Sequence, residues 1–291
     1  MSVFRQFAAA KLNLTLAVLG RRADGYHELE SLVAFADIGD EVTLETGRPA
    51  EVATTGPFAA SIAGANLVAV TLQRIAQMAP AARLGRVTLE KRLPVAAGLG
   101  GGSADAAAVI RAVRAANPEL AADADWPALA LGLGADVPVC LASAAAWMRG
   151  VGEQVELIEG GLPRLDVVIV NPCVAVPADK TAAVFCGLGA PALSASGPGR
   201  SRAGRLGTRE DVLELMRAIG NDLTESARAV VPAVGDVLAR IGGVEGVAYA
   251  GLSGGGPTCF GVLATRAQAE AAARVIQSAK PGWWVVAATL G

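Results

Sequence analysis

Histidine is nearly absent from this chain of 291 residues; the only one is His27. That excludes a two-histidine metal site, and a Ser-His-Asp triad would have to use this one residue. Cysteine is scarce too. Cys140, Cys173, Cys186 and Cys259 are widely separated and form no C-x-x-C pair. Neither a zinc site nor a disulfide framework fits that spacing, so no protein-bound metal site is expected. Aromatic residues make up only 4% and charged residues only 18%, against 53% hydrophobic. The chain is therefore not disordered, and its core must be built mainly from Ala, Val, Leu and Ile. Excess charge of either sign is missing as well: 25 Lys and Arg face 27 Asp and Glu, a formal net charge of −2. Nucleic acid is not an expected partner, and an anionic ligand must be held by a local cluster. Long apolar runs are interrupted. The mean hydropathy is +0.44, yet the most apolar stretch, Ala128 to Met148, carries Asp136 and Pro138. No membrane span is expected. Lys11 and Asn13 break the N-terminal apolar run, which makes it a poor signal peptide and points to a cytoplasmic protein.

What is present is a mixture of two periodicities. Alternation over Lys11 to Leu19 predicts a strand, followed by a basic turn, Gly20 to Gly25. Strands are also predicted at Leu29 to Phe35, Glu41 to Glu45, Arg86 to Lys91, Arg164 to Asn171, Val247 to Ala250, Thr258 to Leu263 and Trp284 to Thr289. Helical spacing predicts helices at Asn66 to Met78 with Asn66 as N-cap, Ser103 to Ala116, Trp126 to Leu133, Thr208 to Ala218, Leu223 to Ile241 and Arg266 to Ala279. Gly187 to Gly207, rich in Gly, Ser, Pro and Arg, reads as a mobile loop. The mixture predicts an α+β fold. The break at Glu159 to Pro163 suggests two domains, 1–158 and 159–291.

Chemistry is concentrated in a few segments. Pro94 to Ala108 reads PVAAGLGGGSADAAA, with Gly98, Gly100, Gly101 and Gly102 directly before a helix. Glycines let a backbone approach an oxygen-rich ligand, and N–H groups at a helix start point at it. A tight turn alone would need one or two glycines, not four, so a phosphate site is predicted. No G-K-[ST] follows, and Ser103 stands where G-x-G-x-x-G would need its last glycine. Asp136 has apolar sequence neighbours, Leu133, Val137 and Val139, and is costly there unless paired; alone it would read as a cap or turn residue. Lys11, at the start of an apolar strand, either snorkels to solvent or meets a carboxylate. Were the two to meet, they would make a base and an electrostatic helper for moving a proton. Lys91 and Arg92 before the glycine run are either a source of positive potential or a solvated strand end. Leu252 to Thr258, LSGGGPT, reads as a hairpin turn or as a backbone wall beside a ligand. Tyr26-His27, after a basic turn, reads as structural or as a holder of a planar, phosphate-bearing ligand.

Taken together these segments resemble the GHMP kinase superfamily. Pro94 to Ala104 is similar to its P-x-x-x-G-L-G-S-S-A motif, and Ser253 to Pro257 to its S-G-[ST]-G loop. The opening AAKLNLTLAVLGRRADGYHELES and the segment LGADVPVCL resemble the branch acting on cytidine diphosphate alcohols. The resemblance runs from Ala9 to Phe260. Ala96 and Ala97 replace small glycines, Ala104 replaces a second serine, and Val174 to Phe185 matches poorly. The resemblance implies a two-domain fold with the active site in the cleft between domains, 1–158 for ATP binding and catalysis and 159–291 for substrate. It implies ATP-dependent phosphorylation of the 2-hydroxyl of 4-diphosphocytidyl-2-C-methyl-D-erythritol, a small-molecule step of non-mevalonate isoprenoid synthesis. Asp136 would be the base and Lys11 its partner. Pro94, Gly98, Leu99, Gly100, Gly101, Gly102, Ser103 and Ala104 would hold the ATP phosphates, with Mg2+ accompanying ATP and Asn66 near the adenine. Asn13, Tyr26, His27 and Phe185 would bind substrate. A kinase for another alcohol and a non-catalytic nucleotide-binding module are the competing readings, and the oligomeric state is left open.

Overall fold

The computed structural model describes residues 1–62, 66–120, 124–193 and 206–291. Along them run β1 (Val3–Asn13), β2 (Ala17–Arg21), β3 (His27–Thr46), β4 (Glu51–Thr55), α1 (Leu67–Met78), β5 (Gly85–Glu90), α2 (Gly101–Ala116), α3 (Trp126–Leu133) and α4 (Val137–Ala142). Then follow β6 (Ala146–Gly150), β7 (Gln154–Leu157), β8 (Leu165–Asn171), α5 (Lys180–Leu188), α6 (Arg209–Ile219), α7 (Thr224–Val230), α8 (Ala233–Gly242), β9 (Tyr249–Leu252), β10 (Cys259–Leu263), α9 (Arg266–Ala279) and β11 (Trp284–Leu290). The predicted α+β class is observed. The chain builds two compact units. One takes Met1–Lys11, Ile38–Val95 and Gly100–Ser143; the other takes Leu12–Asp37, Ala96–Leu99 and Ala144–Gly291.

In the first unit the second half of β3 pairs antiparallel with β5, Glu41 opposite Glu90 through Thr46 opposite Gly85, and β4 adds in parallel. Helix α2 packs against α1 and α4. Its buried face is largely alanine, Ala104, Ala106, Ala107, Ala108 and Ala112, with Val109, Ile110 and Val113. Small side chains let neighbouring helices approach closely, and this accounts for the alanine richness. Asn66 accepts a hydrogen bond from Val68 N and Asp125 one from Ala128 N, capping α1 and α3 as such residues do.

In the second unit β11, β8, β10 and β9 form an antiparallel run, Trp284 opposite Asn171 and Cys259 opposite Val170 and Leu252. Helices α8 and α9 bury Val234, Val237, Ile241 and Ala269, Ala272, Ile276 into the same core. These triplets have the three-and-four spacing of one helix face. The first half of β3 pairs with β2 and β6.

Several local expectations are corrected. The strand foreseen at Lys11 to Leu19 is two, because Leu14 N and Thr15 N both donate to Leu32 O and turn the chain. The two strands foreseen at Leu29 to Phe35 and Glu41 to Glu45 are one. Gly39 passes so close to Ala8 that a Cβ would lie 2.2 Å from its carbonyl oxygen, and Asp40 accepts from Arg92 N and Leu93 N. The long helix at Leu223 to Ile241 is broken at Pro232, which has no N–H to continue it. Helices α4 and α5 and strands β4, β6 and β7 had no local forecast. The loop foreseen at Gly187 to Gly207 begins later, because Gly187 and Leu188 close α5, and 194–205 lie outside the described residues. No helix among the described residues is long and apolar enough to cross a membrane.

Candidate active site

The glycine run between β5 and α2 has an alternating backbone. Ala96, Gly98 and Gly100 have φ of 54°, 80° and 63°, while Ala97 and Leu99 do not enter the positive region. Alternation of this kind turns successive N–H groups toward one side and forms a concavity for an anion. Gly98 and Gly100 are required on two counts, positive φ and lack of room. A methyl on Gly98 would lie 2.5 Å from Ser253 O, and one on Gly100 3.1 Å from Lys11 Cε and 3.2 Å from Lys11 Cβ. Gly102 is different: it is helical, exposed, and nothing lies within 4 Å of its would-be Cβ. Neither conformation nor packing accounts for this glycine. Leu99 and Ala104 are buried, so what they offer a ligand is backbone; Pro94 is buried as well, and Ser103 carries the hydroxyl of the first helical turn.

Within the first unit, Lys11 at the end of that unit's part of β1 meets Asp136, the residue before α4, with Nζ to Oδ2 at 3.3 Å. Both readings of Asp136 are met, since it pairs with Lys11 and occupies the N-cap position of α4, whereas Lys11 does not snorkel to solvent. The Lys11 side chain is 4% exposed and the Asp136 side chain 39%. Asp136 stands at a helix start, where its carboxylate faces water despite apolar sequence neighbours. A second charged group underlies α2. Lys91 Nζ is 2.5 Å from Asp40 Oδ2 and 2.7 Å from Asp105 Oδ2, all three buried. Burial, partly offset by Lys91 and reinforced by Asp40, pushes the Asp105 carboxyl up to about 7. A methyl on Gly101 would lie 3.1 Å from Lys91 Nζ, so this glycine is explained by room above the lysine, not by its φ. Lys91 is therefore no free source of positive potential, because two carboxylates match it. Arg92 is engaged by Glu41 and Glu90 at the surface.

Within the second unit, the His27 ring stacks on Phe185 with centroids 5.0 Å apart and planes 28° from parallel. Burial, and then Arg21, lower the His27 pKa, so the imidazole is neutral near pH 7. Tyr26 is 65% exposed. Asn13 is buried; its side chain donates to Ser31 Oγ at 2.8 Å and its N–H to Ser253 Oγ at 3.2 Å. Ser253 Oγ in turn donates to Gly98 O at 2.8 Å, and Thr258 N donates to Ala97 O at 3.1 Å. The LSGGGPT segment is thus a brace for the first glycine run and not only a hairpin turn. Asn66 caps α1, and its amide also reaches Thr54 Oγ1 at 3.4 Å.

Residues 66–144 match the model of the GHMP kinase N-terminal domain and residues 203–282 that of the GHMP kinase C-terminal domain. A 4-diphosphocytidyl-2-C-methyl-D-erythritol kinase of Bradyrhizobium diazoefficiens is 45% identical, with 97% of this chain and 96% of that protein aligned. The chain belongs to the 4-diphosphocytidyl-2-C-methyl-D-erythritol kinase family. Another member, from Parvibaculum lavamentivorans, is 42% identical over 98% of this chain and 97% of its own. A crystal structure of a 4-(cytidine 5'-diphospho)-2C-methyl-D-erythritol kinase superposes with a TM-score of 0.76 at 31% identity, covering 99% of both chains. A homoserine kinase of Cytophaga hutchinsonii, 18% identical with a TM-score of 0.67 over 99% of this chain and 94% of its own, shares the fold. Sequence reasoning did not single out Asp40, Asp105, Lys180 or Asn221 in this family member. Only Asp105 stands between apolar neighbours, Ala104 and Ala106; Asp40, Lys180 and Asn221 lie beside Glu41, Asp179 and Asp222, and local pattern does not separate any of them from a surface residue.

Proposed function

We propose that this GHMP kinase transfers the γ-phosphoryl group of ATP to the 2-hydroxyl of 4-diphosphocytidyl-2-C-methyl-D-erythritol. The carrying observation is the Lys11–Asp136 pair, with Lys11 lying against Gly100 at the start of α2. Asp136, solvent-accessible, takes the proton of the substrate hydroxyl or orients it. Lys11, buried behind it, holds the carboxylate in place and offsets the charge that develops on the attacking oxygen. N–H groups of the loop from Ala96 to Gly102 and of the first turn of α2 receive the phosphates, a task helped by the helix dipole. Mg2+ would arrive with the nucleotide and neutralise charge on the transferring group. Among the described residues no three His, Cys, Asp or Glu gather to hold a metal; Ser103 would be the hydroxyl nearest the phosphates. Asn66 is assigned to the adenine side. Tyr26, His27 and Phe185 are assigned to cytosine, supported by the ring pair already stacked there, and Asn13 to the rest of the substrate. In sequence terms, ATP binding and catalysis are given to 1–158, which also carries Asn13, Tyr26 and His27, and the remaining substrate contacts to 159–291, one family model lying in each. Phosphate transfer from labelled ATP to a panel of alcohols, with and without a cytidine diphosphate, tests this reading. Label on the cytidine-bearing alcohol alone supports it. Label on another alcohol makes it a sister kinase, and nucleotide binding without transfer makes it a binding module.

A further inference from the structure

Lys180, the first residue of α5, has no place in the chemistry above, yet it is buried, only 6% exposed. Its Nζ donates to two backbone carbonyls, Ala96 O at 3.0 Å and Gly256 O. Ala96 opens the alternating stretch of the first glycine run, and Gly256 lies in the second. Among the described residues no carboxylate forms an ion pair with this ammonium. Burial alone pushes its pKa down, to about 8. A buried cation without a counter-charge is expensive, so a purely structural filler would more cheaply be apolar.

The neighbouring bonds show what the cation holds. Carbonyls 96, 97 and 98 are received in turn by Lys180 Nζ, Thr258 N and Ser253 Oγ. Asn221 Nδ2 in turn bonds Leu252 O and Gly254 O, each at 2.9 Å. Three successive carbonyls of the first run are therefore tied to the second run. Of these ties only Lys180 brings charge, and it alone bridges carbonyls of both runs. Without it the buried Gly256 carbonyl would lose its charged donor and Ala96 O its tie to the second run.

We propose that Lys180 is a positioning residue for nucleotide binding: it pins Ala96 to Gly256 and so sets the backbone conformation in which the first glycine run receives phosphate. The proposal rests on that run being the phosphate site of the kinase reaction proposed above. Its consequence is selective, because a misplaced loop harms ATP and leaves the stacked His27 and Phe185 rings untouched.

The test measures affinity of the full chain for a non-hydrolysable ATP analogue and for the cytidine diphosphate alcohol by calorimetry, beside the melting temperature. Lys180→Met is expected to fold and to weaken the ATP analogue roughly tenfold or more, as for lost charged hydrogen bonds, with less than about threefold change for the alcohol. Lys180→Ala is expected to recover part of its ATP-analogue affinity in added ethylammonium, which wild type does not. Equal affinity loss for both ligands, or no rescue, overturns the proposal. Should the methionine and alanine variants fail to fold, Lys180→Arg decides. Its planar head does not fit between two carbonyls in a buried site, so it is expected to weaken the ATP analogue selectively, and a wild-type affinity refutes the role. A wild-type chain that binds no nucleotide refutes the proposed function; a wild type that binds it no better than the Lys180 variants refutes only this role.

Discussion

Replacing Asp105 by asparagine should change how stability depends on pH. The Asp105 carboxyl sits 2.7 Å from Lys91 Nζ, its other oxygen is buried without a hydrogen-bond partner among the described residues, and Asp40 shares the same lysine. Burial, then Lys91 in the opposite sense and Asp40 in the same sense, leave it titrating at about 7 against 3.8 for a free side chain. Between those values the folded chain binds a proton that the unfolded chain has released. Stability from this group is therefore intact below about pH 4 and falls as pH rises toward 7, with the full penalty above it. At about 1.4 kcal/mol per pH unit the span bounds the penalty at about 4 kcal/mol, and relaxation around the buried site should reduce it to about 1–3 kcal/mol. The asparagine side chain carries no proton to lose and keeps an acceptor for Lys91. Only the part of that span above pH 5, about two-thirds of it, falls between the two measurements, so relative to wild type Asp105→Asn should gain about 1–2 kcal/mol more at pH 8 than at pH 5, or about 2–4 °C in Tm per kcal/mol. Urea unfolding at both pH values measures it. A stability difference that is the same at pH 5 and pH 8 refutes the reasoning and means that the Asp105 charge is fully compensated by Lys91.

Asp136→Asn should stay folded and bind an ATP analogue normally while kcat falls about 10²- to 10⁴-fold, the usual worth of a general base; near-normal turnover would remove it from the mechanism. Gly102→Ala should leave Tm unchanged or raise stability by up to about 1 kcal/mol, as alanine does in a helix. If it also weakens the ATP analogue, the open space over Gly102 belongs to the ligand, whereas an unchanged affinity takes that residue out of the site. Gly100→Ala should do the opposite, lowering Tm and kcat together, because the methyl meets φ of 63° and Lys11 at 3.1 Å; a stable, active variant would contradict the packing argument. His27→Ala should raise KM for the cytidine substrate about 5- to 150-fold, equivalent to about 1–3 kcal/mol of lost base contact, with KM for ATP unmoved. Equal changes in both, with a lowered Tm, would make His27 structural.

Local information in the chain was enough for α1, α3 and α9, whose caps and apolar spacing are written in adjacent residues, and for the glycine run with its demand for left-handed backbone. Four glycines leading into and opening the alanine-rich α2, with Tyr26-His27 and Gly134 to Pro138, also carried the family. What local pattern could not carry was where charge is compensated. Lys11 and Asp136 come from distant segments, and their 3.3 Å separation exists only once β1 and α4 are packed in one unit. The same packing buries Lys11 and leaves Asp136 partly exposed, a choice that neighbours along the chain left open. Lys91 looked like available positive charge and is matched by Asp40 and Asp105; Lys180 drew no attention and bridges two glycine runs. The reason is physical. Helices, caps and turns are set by contacts a few residues apart, so spacing encodes them. The state and partner of an ionisable group depend on desolvation and on charges brought near by folding, and these the tertiary structure alone decides.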